Sequence, residues 1–129
     1  MTAIWRKPKP AMTVARAILI ASFPSLSVTT EDPKTRPDKY VVLEQLPMDY
    51  PNPAFTEPRV MANCYAKTPL LAGDLADDVL TALLNARGLF AGGEVKKFAN
   101  PAGPYRLDHP DITDRVRFQV HGDLRISTR

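Results

Sequence analysis

Three groups of side chains in this 129-residue sequence have the chemistry that catalysis or metal binding would need. The densest contains His109, with Asp108 and Asp111 beside it. Metal sites draw on clusters of imidazole, thiolate and carboxylate ligands. A lone His-Pro-Asp in a proline-rich segment is more typical of a turn, where a short polar side chain bonds the local backbone. We therefore predict no metal site here.

The other two groups are a single thiol and a pair of carboxylates. Cys64 is the only cysteine, and it alternates with small apolar residues, which predicts a buried, unreactive thiol. Asp77 and Asp78 are neighbours in a predicted helix, where successive side chains point about 100° apart. Gly92 and Gly93 lead into a strand, not into the helix N-terminus that a phosphate cradle needs. We predict no enzyme and no cofactor.

Charge is unevenly distributed, although the net charge is only +3. An acidic group lies on a predicted helix: Asp74, Asp77 and Asp78. A basic group lies along the last predicted strand: Arg115, Arg117 and Arg125. The arginines are not interleaved with stacking aromatic side chains, so we do not expect them to read nucleic-acid bases. Complementary faces can pair across an interface between copies of one chain, and these six residues are the predicted inter-subunit interface.

Thirteen prolines divide the chain into its elements, because proline interrupts helices and central strands. Helical periodicity predicts two helices, at residues 11–23 and 68–87. Alternating or β-branched segments predict five strands, at residues 26–30, 40–46, 59–67, 94–98 and 115–126. Two proline-rich segments are predicted as long loops, at residues 47–58 and 100–114. The order α-β-β-β-α-β-β predicts an α+β fold, a mixed, mostly antiparallel sheet with two helices packed on one face.

Two elements have detailed predictions. The second helix begins with Thr68 as N-cap and Pro69 in its first turn, and Gly88 is a left-handed stop after it. Its buried stripe is predicted as Leu71, Leu75, Val79, Ala82, Leu83 and Ala86. The apolar side of the last strand is predicted as Val116, Phe118, Val120, Leu124 and Ile126. Gly122 falls on the same side and predicts a bend or bulge.

The composition, with 44% hydrophobic and 24% charged residues, is that of one globular domain. We predict a single domain over residues 1–129, with residues 1–10 as an extended basic arm. No run reaches the roughly 18 apolar residues that cross a membrane. The apolar run 14–23 contains Arg16 and is not followed by a cleavage site, which favours a helix over a signal peptide.

The chain resembles the tail terminator (tail completion) proteins of bacteriophages with long, non-contractile tails. The resemblance covers nearly the full length, and its clearest part is an order of four segments. These are a strand RVMANCYAK, an acidic helix GDLADDVLTALL, a proline-containing segment GPYRLDHPD and a final strand RVRFQVHGDLRI.

This resemblance implies a non-enzymatic structural subunit of the virion, made in the host cytoplasm. It implies a homo-oligomeric ring, a hexamer, that sits on the last ring of the tail-tube protein and stops tube growth. The ring would join the tail to the head-completion (neck) protein, and DNA would pass through its lumen without sequence recognition. No cofactor, membrane or catalytic residue is implied.

Other functions stay open at this point. One is a different virion part, such as a head-closure protein or a small tail-tube-like subunit. A binding module of unknown ligand and an enzyme are the others.

A cyclic ring needs two different surfaces on each subunit, which the acidic helix face and the basic strand face provide. The segments 1–10 and 47–58 are predicted contacts to tube or neck.

Overall fold

The computed structural model describes residue 5 and residues 7–128, apart from the side chains of residues 48–52. Two helices are present in this part of the chain: α1 (Ala11–Ser22) and α2 (Pro69–Asn85). Six strands accompany them: β1 (Ser27–Thr29), β2 (Tyr40–Asn52), β3 (Phe55–Ala66), β4 (Gly88–Phe90), β5 (Gly93–Arg106) and β6 (Val116–Ser127). They form one sheet in the order β1-β2-β3-β6-β5-β4, with β1–β2 as its parallel pair. The predicted α+β fold with two helices on one face is confirmed. Neither helix in the described residues is long and apolar enough to cross a membrane.

The start and end of α2 follow the predicted signals. The hydroxyl of Thr68 accepts a hydrogen bond from the backbone N–H of Leu71 at 3.2 Å, and Pro69 is the first helical residue. The helix ends at Asn85, and Gly88 then adopts a φ of +99°. A left-handed residue reverses the chain at little cost only when it is glycine, so the chain can turn at once into the short strand β4.

The buried side of α2 differs from the prediction by part of a turn. The residues in the core are Ala72, Leu75, Ala76, Val79 and Leu83. Leu71, predicted in this stripe, is 41% exposed. Ala72 and Ala76 are fully buried instead. The buried stripe of α2 is therefore rotated relative to the predicted one, and Leu71 lies outside it.

Strands β3 and β6 form the centre of the sheet and share one uninterrupted register. Val60 pairs with Gly122, Ala62 with Val120, and no shift occurs along the pair. On the other side of β6, β5 shifts its register opposite Gly122, between the pairs Ala99–Asp123 and Ala102–His121, so the predicted bulge lies in the β5–β6 pair and is absent from the β3–β6 pair. A Cβ placed on Gly122 would lie 2.5 Å from the ring of Phe98, so the glycine is needed because this buried aromatic ring covers the strand.

The segments predicted as long loops are largely strand. β2 continues to Asn52 and β3 begins at Phe55, so residues 47–58 form the end of a hairpin rather than an irregular loop. Likewise β5 extends to Arg106. Proline is tolerated on edge strands because its missing N–H breaks no ladder bond there. Within the described residues, β1 pairs only with residues 40–42 of β2, and β4 only with residues 93–95 of β5. The remaining residues of β2 and β5 therefore lie on the two edges of the sheet.

β5 follows β6 irregularly. Its pairing shifts three times, between Val95 and Lys97, between Ala99 and Ala102, and between Ala102 and Tyr105. Each shift inserts an extra residue, and Asn100 and Gly103 have positive φ angles. Strand β4 was not predicted, because three residues are too short to show a period.

The contact between Gly122 and Phe98 gives a stability prediction. We expect Gly122→Ala to lower the free energy of unfolding by about 1–3 kcal/mol, the usual cost of overpacking a core. Gly73→Ala is the matched control, since a Cβ there meets only Phe118 at an ordinary 3.8 Å. Alanine within a helix is favoured over glycine by roughly 0.5–1 kcal/mol. Urea denaturation of both variants would test this, and equal effects at the two positions would contradict it.

Candidate assembly surfaces

The outward side of α2 carries the predicted acidic group. Asp74, Asp77 and Asp78 are all exposed. None of the three forms an ion pair with another described residue. The structure therefore brings the three predicted carboxylates together on one helix and leaves their charge uncompensated within the described subunit.

Exposed leucines flank these carboxylates. Leu70 is 75% exposed and Leu84 is 38% exposed. Side chains three and four residues apart share one side of a helix, and this spacing places five residues on one stripe: Leu70, Asp74, Asp77, Thr81 and Leu84. We call these residues the α2 outer stripe. Apolar side chains at both ends of an acidic patch are the composition of a contact surface rather than of a fully solvated helix face.

A groove of about 500 Å³ runs beside the stripe, between α1 and α2. Its apolar lining comes from both helices and from β4: Ile18, Ala21, Phe23, Ala82, Ala86 and Phe90. Asp78 and Arg87 are the charged residues that line it. The guanidinium of Arg87 donates to the carbonyl oxygens of Leu84 and Ala86. Asp78 therefore brings a carboxylate with no ion pair among the described residues to a groove whose other lining residues are mostly apolar.

The predicted basic group lies away from α2, and each arginine has a partner within the subunit. The side chain of Arg115 is 9% exposed. It donates to the carbonyl oxygen of Arg36 at 3.0 Å, to that of Pro37 at 3.0 Å and to that of Asp114 at 2.8 Å. These hydrogen bonds link the loop before β2 to the start of β6.

Arg117 and Arg125 lie on the side of the sheet that faces away from the helices, here called the outer sheet face. Arg117 donates to the carbonyl oxygen of Leu107 at 2.6 Å. Arg125 forms an ion pair with Glu57 and lies over the ring of Phe55, with its guanidinium carbon 4.2 Å from the centroid. The acidic group and these two arginines therefore occupy opposite sides of the subunit.

A polar cluster on the outer sheet face was not predicted. Arg59 and Asp123 are directly opposite in the β3–β6 register. The Arg59 Nε donates to the Asp123 carboxylate at 2.8 Å, and the Asn100 amide donates to it at 2.9 Å. The hydrogen bond from Arg59 holds the pKa of Asp123 below its usual range, with Asn100 adding to the effect. The alternation of polar and apolar residues in β6 places Asp123 on this face. The sequence does not show its partners Arg59 and Asn100, which lie on other strands.

The same face buries two amides. Asn63 and Gln119 are buried and also pair across β3 and β6, with the Gln119 amide donating to the Asn63 oxygen at 2.7 Å. The Asn63 amide in turn donates to the Glu44 carboxylate at 2.8 Å. Buried polar groups are tolerated when they are hydrogen-bonded. This part of the face is therefore a satisfied structural network.

One end of the outer sheet face is covered by the segment between β5 and β6. Ile112 from this segment is buried with Tyr40, Val42 and Tyr65. The two tyrosine rings stack with centroids 4.6 Å apart. Burial raises the pKa of Tyr40 to about 12. The cover removes this end of the face from the surface available to a partner.

The candidate chemical groups lie in ordinary structural positions. Cys64 is buried, as predicted, and burial raises the pKa of its thiol. The His109 imidazole accepts a hydrogen bond from the backbone N–H of Asp111 at 3.0 Å, and Arg106 donates to Asp108. The turn at residues 109–111 thus uses the imidazole rather than an aspartate. Over the described range, no group of three or more His, Cys, Asp and Glu side chains could hold a metal ion.

The different settings of Arg115 and the α2 carboxylates predict different stability effects. We expect Arg115→Ala to lower the free energy of unfolding by about 1–3 kcal/mol, because it removes the hydrogen bonds from a largely buried guanidinium to three carbonyl oxygens. Asp77→Ala and Asp78→Ala should each change it by no more than about 0.5 kcal/mol, as exposed substitutions do. Chemical denaturation of dilute subunit would check this. A larger loss from the aspartates would contradict a purely external role for them.

The Arg59–Asp123 pair predicts a dependence of stability on pH. The pKa of Asp123 is lowered in the folded protein, so its contribution is present above the unfolded value, about 3.9, and is lost as pH falls through the folded value. Asp123→Asn should therefore be less stable than the parent near neutral pH, and the difference should shrink below about pH 4. Urea denaturation from pH 7 to pH 3 measures this. Parallel curves for the two proteins would contradict it.

Comparisons with known proteins concern the fold. No family model matches the chain, and no curated protein matches it. Among solved structures, the fold is similar to that of a chain described as "Virion of native gene transfer agent (GTA) particle", with a TM-score of 0.63 at 15% sequence identity. The match covers 91% of this chain and 96% of that one. The two chains share a whole-domain fold.

Proposed function

We propose that this protein is a structural virion subunit, a tail terminator that closes into a ring at the end of a phage-type tail tube. The observation that carries the proposal is the fold match over nearly the whole of both chains, because the matched chain belongs to a virion particle. The order of segments resembling tail terminators supports the same role. The buried thiol and the paired Arg106–Asp108 and Arg59–Asp123 groups support a protein that acts by contact rather than by catalysis.

The charge arrangement supports ring formation. Closed rings use two different surfaces of each subunit. The α2 outer stripe offers an acidic, partly apolar surface without internal ion pairs among the described residues. We propose that Asp74, Asp77 and Asp78 contact basic side chains of the next subunit. Arg117 and Arg125 would contact a neighbouring subunit through the atoms they expose on the outer sheet face. Arg115 acts mainly inside the subunit.

The remaining contacts follow from the terminator role. The ring, a hexamer by resemblance to that family, would bind the last ring of tail-tube protein on one side and the head-completion protein on the other. DNA would cross its lumen without base recognition. The subunit would be made in the host cytoplasm and reside in the virion. The β2–β3 hairpin end and residues 1–10 are the proposed contacts to tube or neck.

The ring interface predicts a sensitivity to salt and to charge reversal. Raising the salt from about 0.1 M to 1 M shortens the screening length from ~10 Å to ~3 Å, so assembly should weaken at least tenfold. D77K/D78K should prevent it at low salt while the subunit stays folded. E31K/D111K is the matched control, because it makes the same change in net charge at exposed positions away from α2. Light scattering after size-exclusion chromatography would measure the mass of each variant.

The terminator role itself is tested with tube protein. The purified chain, added to growing tubes, should shorten them and appear as a collar at one end in negative-stain images. Incorporation along the tube would instead identify a tube-like subunit, and binding only to the head side would identify a head-closure protein. Wild-type protein that stays monomeric both alone and with tubes would overturn the proposed ring.

A further inference from the structure

The acidic groove beside α2 calls for a partner that combines an apolar side chain with positive charge. Its lining is mostly apolar, with Ser22, Thr81 and Asn85 as neutral polar residues and Asp78 and Arg87 as charged ones. Arg87 is already bonded to carbonyl oxygens of its own helix end. Asp74, one turn before Asp78, and Asp77 add two exposed carboxylates on the same helix. An occupant therefore needs an apolar anchor for the groove and cations placed a few ångströms away.

The segment before α1 has this composition. Trp5 is 55% exposed, and Lys7 is also exposed. Lys7 and Lys9 form no ion pair with another described residue. Tryptophan is the side chain type most enriched among residues that anchor interfaces.

Prolines hold this segment in a shape that suits the acidic face. Lys7 precedes Pro8 and Lys9 precedes Pro10, and a residue before proline favours an extended backbone. In a polyproline-type chain two positions span about 6 Å. One helical turn, from Asp74 to Asp78, also spans about 6 Å along the axis. A segment that is already extended loses less conformational entropy when it binds.

Residues 5–9 do not easily reach the groove of their own subunit. The stem of Lys9 lies beside Gly93, at the start of α1. Asp78 lies beside Ser22 and Phe23, at the other end of that helix. The 12 residues of α1 span about 18 Å, whereas the three steps from Pro10 to Lys7 span at most about 11 Å. The five steps from Pro10 to Trp5 span at most about 18 Å, so Trp5 would reach its own groove only with a fully extended backbone running back along α1. A carboxylate row at one end of α1 and an arm at the other end suit a head-to-tail contact between two copies.

We propose that the segment Trp5–Lys9 of one copy binds the α1–α2 groove of the next copy, with the Trp5 indole in the groove and Lys7 and Lys9 on the aspartates of α2. This inference rests on the proposed self-assembly and names the two surfaces that close the ring. It makes residues 5–9, rather than the arginines of β6, the main cationic partner of the acidic helix face, and it assigns these residues to the contact between copies rather than to tube or neck.

A charge-swap experiment on the full chain tests the ionic part. K7E/K9E should weaken assembly at least tenfold, as should D74K/D78K, and the combined four-residue variant should regain most of it, because the paired charges are then exchanged. W5A should also weaken assembly at least tenfold. K34E/K97E is the matched control with the same net charge, and it should assemble like the parent. Light scattering and sedimentation at several protein concentrations give the dissociation constants.

A disulfide trap tests which copy supplies the arm. Ser22 is exposed at the edge of the groove, and the one native thiol, Cys64, is buried and does not compete. Mild oxidation of W5C/S22C should give a ladder of covalently linked chains on a non-reducing gel. W5C and S22C alone should not give the ladder. A bond within one chain, seen as a monomer of altered mobility, would overturn the proposal.

The outcomes separate this inference from the proposed function. Rings from K7E/K9E that match the parent, while D77K/D78K fails to assemble, would overturn the role of the arm and leave the ring intact. Equal damage from K34E/K97E would show an effect of net charge and would also overturn it. Parent protein that never assembles, alone or with tubes, would overturn both.

Discussion

In the part of the chain that the structure describes, both helices pack on the same face of the sheet, and the rest of the structure depends on this constraint. The core is built where α1 and α2 meet that face, and Val120, Leu124 and Ile126 of β6 are fully buried there. Burying an aliphatic side chain of this kind contributes about 1.5–3 kcal/mol, so the helical layer cannot be displaced without losing the fold. The position of α2 in turn determines which of its residues point outward, and these include the α2 outer stripe.

The uncovered face must stabilise itself by other means. It does so with cross-strand polar pairs, such as Arg59 with Asp123 and Asn63 with Gln119, and with the segment that places Ile112 over Tyr40. Such networks hold a surface in one arrangement because each member satisfies its neighbour. The subunit therefore has a rigid polar face on one side and a helical face with uncompensated charge on the other. This asymmetry is what a cyclic assembly of identical copies requires.

Local patterns in the sequence were sufficient for the element types, the α+β fold and the ends of α2. They were insufficient wherever a distant residue decides. The prolines of residues 47–58 predict a loop, because the sequence does not show that residues 47–52 lie on an edge strand. Gly122 predicts a bend or bulge, and the sequence does not show that Phe98, on another strand, also needs the space at this glycine. Leu71 falls in the predicted core stripe, because helical spacing alone does not show that Ala72 and Ala76 are the buried residues.

The candidate surface divides in the same way. The three aspartates could be found from one helix, since their grouping and exposure are local properties. The intramolecular partners of the arginines could not be found, because Arg115 bonds a carbonyl oxygen 78 residues away and Arg125 pairs with a carboxylate 68 residues away. The groove between α1 and α2 is a property of helix packing, and the sequence contains no motif for it.

The irregular edge of β5 bears on how readily copies of this chain could pair through their sheets. An exposed regular edge offers a template on which any other chain can add a strand. In β5 the three register shifts, the positive φ of Asn100 and Gly103, and Pro101 between them break the even row of donors and acceptors. Open-ended strand addition between copies is therefore disfavoured along this edge of the sheet.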